Sequence, residues 1–385
     1  MPVREFFTPN RLFCPGPTPA PRTVKESYLE TDMYHRSKEF EVQFSQCAEM
    51  LKPLFGCTTM PILLTASGTG AMEAAVTNLT APGDEVIVLV AGKFGERWYK
   101  MCSAYQCEVE TVCVENGKVP RASHVADAFK RRPGAKAIFL QAHETSTGAR
   151  LPIEELIREV KKQSPNCLVV IDAISSLGAH PIAMDEMGID AVISGSQKGF
   201  GVAPGLSFVA LSERAWDRLS MRSRFYFDLA KERKGQENGR SAYTPAIGLV
   251  LGLHASLTEI TRIGCPAFNA HHARLGRATR AAVAAMGLKI FVEDIAQSSS
   301  MTAIRVPDRL DGANIITTAK GRYGAIISGG QDDLKGKIIR FSHLGFMSPF
   351  QLLDGLAALE FAFSDEGWVF DLGSGVSAAM KALRD

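Results

Sequence analysis

From about residue 60 to 212, short unbroken apolar runs alternate with segments whose apolar positions recur every three or four residues. The runs are "PILLTA", "EVIVLVAG", "AIFLQAH", "CLVVIDA", "AVISGS" and "LSFVALS"; the periodic segments include "GAMEAAVTNL" (70–79) and "IEELIREVKKQ" (153–163). Continuous Val/Ile/Leu runs suit strands covered on both faces, and the three-and-four spacing suits helices with one buried stripe. The alternation predicts an α/β architecture around a parallel sheet. Such sheets bind ligands beyond the carboxyl ends of their strands, so the residues after each run are the first candidates for chemistry.

The texture changes past residue 243. "YTPAIGLVLGLHASLTEI" (243–260) reads as a long helix and "AHHARLGRATRAAVAAMG" (270–287) as a connecting one. Shorter strands follow at 300–306 and 336–345, with helices at 311–320 and 349–363. This predicts a smaller α+β unit with its boundary near residue 265: an N-terminal arm over 1–25, a large domain over 26–265 and a small domain over 266–385.

Composition sharpens the picture without redirecting it. The 385 residues are 46% hydrophobic and 22% charged, enough for two domains at ~150 residues each. The formal charge of +2 arises from interspersed basic and acidic residues, so no basic face points to nucleic acid and a small-molecule partner is expected. No apolar stretch reaches the ~18 residues of a membrane span, and the N-terminus lacks the apolar core of a signal peptide; the expectation is a cytoplasmic protein. The eight cysteines form no C-x-x-C pair and read as buried thiols. His271 and His272 are adjacent on a helix, where neighbours point apart, so no metal site is expected.

Each strand end offers a group with two readings. "SGTGAMEAA" (67–75) is a glycine-rich turn opening a helix, either a phosphate cradle made of free N–H groups or a plain connection. Phe94 in "KFGERW" is either a lid over a flat ligand or packing, and Thr145 and Ser146 in "ETSTG" are either donors into a cleft or caps. Asp172 ends a buried strand, which is costly unless a cation, functional or structural, faces it. Lys198 stands between "AVISGS" and a glycine-rich segment, where it is either a solvated turn residue or a nucleophile. Taken in order, a phosphate cradle, a flat aromatic, a buried carboxylate and a strand-end lysine match one molecule, pyridoxal 5'-phosphate.

Motifs along nearly the whole chain carry a resemblance. They are "CPGPTPAP" (14–21), "HRSKEF" (35–40), "SGTGAMEA" (67–74), "HETSTG" (143–148), "VIDAISSLG" (170–178), "GIDAVISGSQKG" (188–199), "YTPAIGLVLGL" (243–253) and "GKIIRFSHLG" (336–345). The sequence resembles the class V, fold-type I pyridoxal-phosphate aminotransferases, most closely the alanine/serine:glyoxylate (serine:pyruvate) branch. The resemblance implies a large domain with a mainly parallel seven-stranded sheet and a smaller C-terminal α+β domain. It implies that Lys198 holds the cofactor through a Schiff base and shuttles the substrate proton, and that Asp172 pairs with the ring nitrogen. Phe94 would stack on the ring and Thr145 would touch its O3' side. Thr69, Gly70, Ala71 and Gln197 would bind the phosphate. Arg340 would clamp the substrate carboxylate, with Gly16 closing from the arm. The active site would lie at a homodimer interface, with Tyr243 and Thr244 reaching the neighbour's phosphate. The implied activity is ping-pong transfer of an amino group from alanine or serine to glyoxylate or another small 2-oxo acid.

Relatives often carry histidine where Ala71 stands and tryptophan where Phe94 stands, which leaves the substrate open. Three alternatives remain: a 2-aminoethylphosphonate:pyruvate transaminase, a cysteine desulfurase-type lyase, and a cofactor-retaining protein that binds a partner with little catalysis. The missing G-x-G-x-x-G fingerprint argues against a nicotinamide oxidoreductase.

Overall fold

The computed structural model describes residues 9–30 and 32–384; the first eight residues of the expected arm lie outside them. Seven strands form the principal sheet: β1 (Ile62–Leu64), β2 (Glu85–Val90), β3 (Glu108–Cys113), β4 (Ala137–Gln141), β5 (Leu168–Asp172), β6 (Ala191–Gly195) and β7 (Ser207–Leu211). Their spatial order is β3-β2-β4-β5-β6-β7-β1. Pairings from β3 to β6 are parallel, while β7 runs antiparallel to both β6 and β1.

Register explains why the runs are apolar throughout. Ile87, Ile138 and Val169 are cross-strand partners on one face, and Val88, Phe139 and Val170 on the other. These two sets belong to different hydrophobic clusters, one on each side of the sheet, so a polar residue at either parity would be buried without a partner. Helices α1 (Gly68–Leu79) and α2 (Lys93–Ala104) pack on one side, and α3 (Ile153–Gln163) on the other. Helix α3 spans the bounds read from the sequence; it buries Ile153, Leu156, Ile157 and Val160, and places Glu154 and Glu155 in its first turn and Lys161 and Lys162 in its last, complementing its dipole.

A second core lies beyond Gly264, which separates helices α4 (Ile247–Ile263) and α5 (Cys265–Ala285). Here Lys289–Ile290, Met301–Arg305, Ile338–Ser342 and Ser328–Gly329 form an antiparallel four-stranded sheet in that order. Helix α5 joins the two cores: Phe268 packs in the first, Leu275 and Val283 in the second. The segment Arg11–Leu12 pairs with Ala325–Ile326, and Phe13 stacks on Phe341 at 5.3 Å. Anchored there, the chain from Cys14 to Thr18 crosses to the carboxyl ends of the principal strands. Among the described residues, no helix is long and apolar enough to cross a membrane.

Candidate active site

The turn after β6 carries Lys198, partly buried, whose Nζ donates to the Pro15 carbonyl at 2.7 Å. The Thr18 hydroxyl donates to the Lys198 carbonyl at 2.7 Å and the Thr18 N–H to the Gln197 carbonyl at 3.1 Å, so residues 15–18 clasp this turn from above. Gly16, at φ +149°, is where the loop comes closest: a Cβ there would lie 2.5 Å from Lys198 Nζ. Burial, followed by the positive field of Arg340, pulls the Lys198 amine down to about 8. An ammonium at that value gives up its proton near neutral pH, which a nucleophile or base requires.

On the adjacent strand, Asp172 closes β5 with 4% of its surface exposed. The Ile174 N–H donates to its carboxylate at 2.8 Å. Burial pushes the carboxyl up to about 7, with Ile174, Arg97 and Lys198 opposing. The turn after β1 meets this one: a Cβ on Gly68 would lie 2.5 Å from Ile174 Cδ1, so any larger residue there would displace the Ile174 side chain beside Asp172. The Ser67 side chain does not cap α1, and the Gly70 and Ala71 N–H groups turn back to the Ser67 carbonyl. The helix dipole and the remaining N–H groups at Gly68 and Thr69 therefore face outward, as an anion site requires.

Phe94 lies in the first turn of α2 rather than at the end of a strand. Its N–H and that of Gly95 donate to the Glu144 carboxylate at 3.1 Å each. Glu144 is fully buried, and Gln141 Nε2, the Ser146 N–H and the Ser146 hydroxyl also donate to it. This saturated carboxylate offsets its own desolvation and fixes where Phe94 stands. Thr145 is buried beside it, with its hydroxyl 2.6 Å from Ser175 Oγ. Arg340, from the second sheet, donates from Nη1 to the Thr145 carbonyl at 2.9 Å and from Nε to the Gly329 carbonyl at 2.7 Å. Among the described residues its Nη2 takes no protein partner, leaving that edge for an incoming carboxylate.

The strand-end reading thus brings together Lys198, Gln197, Asp172, Thr69, Gly70, Ala71, Phe94, Thr145, Gly16 and Arg340. Tyr243 and Thr244 stand apart: Tyr243 donates to the Phe225 carbonyl at 2.8 Å and stacks on Tyr226 at 5.1 Å, and Thr244 is exposed. That aromatic group flanks Thr65, ahead of the Ser67 turn.

Three further residues of the site were not singled out in the sequence, although two of them lie within "HETSTG". Glu144 is one. Arg97 donates to Thr69 Oγ1 at 2.9 Å, lies 4.8 Å over the Phe94 ring, and acts electrostatically on both Asp172 and Lys198. His143 meets Ser175 Oγ at 2.8 Å through Nδ1, while its buried Nε2 has no partner; burial and the charge of Lys198 hold it down at about 3, so it is neutral. A cavity of ≈ 540 Å³ opens beside these groups, between Lys93, Phe94, Glu96, Arg97 and Lys100 on one side and Gln331, Asp332 and Lys335 on the other.

Residues 12–344 match the family described as Aminotransferase class-V. The chain is 37% identical to the "Soluble hydrogenase, small subunit" of Synechococcus, over 97% of this chain and 98% of that one. It is 33% identical to a serine–glyoxylate aminotransferase of Methylorubrum extorquens, over 98% and 96% of the two chains. An aspartate aminotransferase of subgroup IV from Thermus thermophilus superposes with a TM-score of 0.88 at 35% identity, covering 93% of this chain and all of that one.

Proposed function

The chain belongs to the class-V aminotransferase family, and from that premise we propose that it transfers the amino group of alanine or serine to glyoxylate or another small 2-oxo acid by a ping-pong mechanism. The observation that carries the reading is the convergence, at the strand ends, of a softened amine at Lys198, a buried carboxyl at Asp172 and a half-engaged guanidinium at Arg340. The cofactor of this family is pyridoxal 5'-phosphate, and the residues fit it. Gln197 Oε1 and His143 Nε2 are buried and unsatisfied, as groups awaiting a polar ligand would be. Lys198 would hold the aldehyde carbon, Asp172 the ring nitrogen, Phe94 the ring face and Thr145 the O3' side. Within the turn that runs through Thr69, Gly70 and Ala71, the outward N–H groups of Gly68 and Thr69, with Gln197, would hold the phosphate. None of those phosphate-binding groups is charged, and we assign the balancing cation to Arg97, already bonded to Thr69.

When bound, the cofactor supplies a carbonyl carbon that accepts amines and a ring that takes up electron density as the substrate loses its α-proton. Arg340 orients the substrate by its carboxylate, and the Thr145 and Gly329 carbonyls keep the guanidinium plane fixed. Lys198 would take the substrate α-proton on Nζ and return it, a task suited to an amine near 8. The 15–18 loop covers that nitrogen. Asp172 would hold the proton at the ring nitrogen. We further propose a cytoplasmic homodimer in which Tyr243 and Thr244 complete the neighbour's phosphate site, and a domain boundary at residue 265.

A donor with a second anionic group, aspartate or 2-aminoethylphosphonate, is the second reading, favoured by Arg97 and Lys335 at the cavity beside Phe94, where Lys93 and Lys100 are paired with Glu96 and Asp332. The test is a panel of alanine, serine, aspartate and 2-aminoethylphosphonate, each followed by the change in cofactor absorbance, then by glyoxylate or pyruvate as acceptor. Rapid conversion by alanine or serine supports the first reading and an exclusive response to a doubly anionic donor the second. No response to any donor would contradict both.

A further inference from the structure

Helix α2 ends in a Schellman motif. The Gln106 N–H bonds the Ser103 carbonyl at 2.9 Å and the Cys107 N–H bonds the Cys102 carbonyl at 3.0 Å, with Gln106 in the left-handed region at φ 60°. This motif presses the side chain two positions before the last helical residue against the one three positions after it, usually as an apolar contact. Here both positions are cysteines. The pair lies far along α2 from Phe94, and neither thiol has a part in the proposed reaction.

One hydrogen bond beside the pair has a fixed direction. Thr80 spends its hydroxyl proton on the Val76 carbonyl at 2.8 Å, so it accepts from the Cys107 thiol at 3.3 Å. Arg222 stands alongside, bonded to the Tyr105 carbonyl and 5.0 Å over the Tyr105 ring; Asp84 is the opposing charge. The neighbouring Cys102 thiol, with help from Thr80 and Arg222 and against burial, brings Cys107 down to about 6, and Cys107 with burial pushes Cys102 far up. Cys102 is fully buried and Cys107 is 8% exposed, so an oxidant reaches Cys107 first. The backbone bond across the cap, from the Cys107 N–H to the Cys102 carbonyl at 3.0 Å, ties the two residues to each other, the closeness a disulfide requires.

We propose that Cys102 and Cys107 are a peroxide-reactive thiol pair that closes into a disulfide across the end of α2. The Cys107 thiolate attacks a hydroperoxide oxygen, the O–O bond breaks, and the leaving oxygen takes a proton to depart as water or alcohol. Cys107 becomes a sulfenic acid. The Cys102 sulfur then gives up its proton and attacks the Cys107 sulfur, displacing the hydroxyl as water. Two thiols are oxidised and one hydroperoxide is reduced, with no other reactant.

The test is to treat the holoenzyme with a small excess of hydrogen peroxide, alkylate the remaining thiols, and digest without reductant. The expected product is a peptide with Cys102 joined to Cys107, ~2 Da lighter than the dithiol and restored by dithiothreitol, formed before the exposed Cys113 is oxidised. In the Cys102→Ala holoenzyme, dimedone should label Cys107, and in Cys107→Ala it should leave Cys102 unlabelled. Alkylation of both thiols after the peroxide is consumed, or sulfonic acid at Cys107 without a cross-link, would overturn the proposal. These outcomes do not depend on the amino-transfer reading, because they are read from peptide masses alone.

Discussion

Replacing Asp172 with asparagine should stabilise the apoenzyme while destroying its activity. In the folded apoprotein burial raises the Asp172 carboxyl to about 7, whereas in the unfolded chain it returns to the ordinary 3.8. Between those values the folded protein retains a proton that the unfolded chain has lost. Stability from this group is therefore full below about pH 4, falls as pH rises through the window, and is lost above about 7. The displacement corresponds to at most ~4 kcal/mol. Asparagine has nearly the same shape, and its amide oxygen still accepts from the Ile174 N–H, but it carries no charge to desolvate. Urea denaturation of the two apoproteins should show the variant ~2–4 kcal/mol more stable at pH 8 and equal to the parent near pH 4. Adding pyridoxal 5'-phosphate at pH 8 should stabilise the parent more than the variant, because a pyridinium nitrogen neutralises Asp172. Equal stability of the apoproteins at pH 8, or a less stable variant, would refute the reasoning.

Three other substitutions test the surrounding groups. Arg340→Lys loses the planar fork held by the Gly329 and Thr145 carbonyls, and kcat/KM for every amino donor should fall about 100-fold, mostly through KM. Arg97→Met should weaken binding of pyridoxal 5'-phosphate about 10-fold or more and leave that of pyridoxal, which has no phosphate, unchanged; equal loss for both would remove Arg97 from the phosphate site. Gly16→Ala places a methyl 2.5 Å from Lys198 Nζ at a backbone φ of +149°, so the 15–18 loop or the Lys198 side chain must shift. Turnover should drop and trinitrobenzenesulfonate should reach Lys198 faster in the apoenzyme.

The sheet was legible where its strands are buried on both faces. β1, β2, β4, β5, β6 and β7 stand out as apolar runs because both side-chain parities enter a hydrophobic cluster. β3 is absent from that set because its edge, unlike that of the buried β1, meets solvent: "EVETVC" alternates charge with apolar residues and leaves Glu108 and Cys113 exposed. Lys198 and Asp172 were singled out because a charge at the end of an apolar run breaks its pattern. Phe94 was expected at a strand end but sits in the first turn of α2, since a short glycine link after β2 already belongs to the helix entry. Arg97 and Glu144 left no such mark. Arg97 looks like any exposed helical cation until α2 packs against the Ser67 turn, and Glu144 needs the folded Phe94–Gly95 amides to make its burial tolerable. The second sheet was read through its two longer strands, because Lys289–Ile290 and Ser328–Gly329 are too short to show periodicity.

The central claim is that one amine, Lys198 Nζ beneath the 15–18 loop, is the covalent attachment point of the cofactor. Borohydride reduction of the holoenzyme, digestion and mass spectrometry measure this directly. The account predicts a single phosphopyridoxyl group on the peptide containing Lys198, with none fixed in Lys198→Ala. A label on any other lysine, or one that persists in that variant, would contradict it.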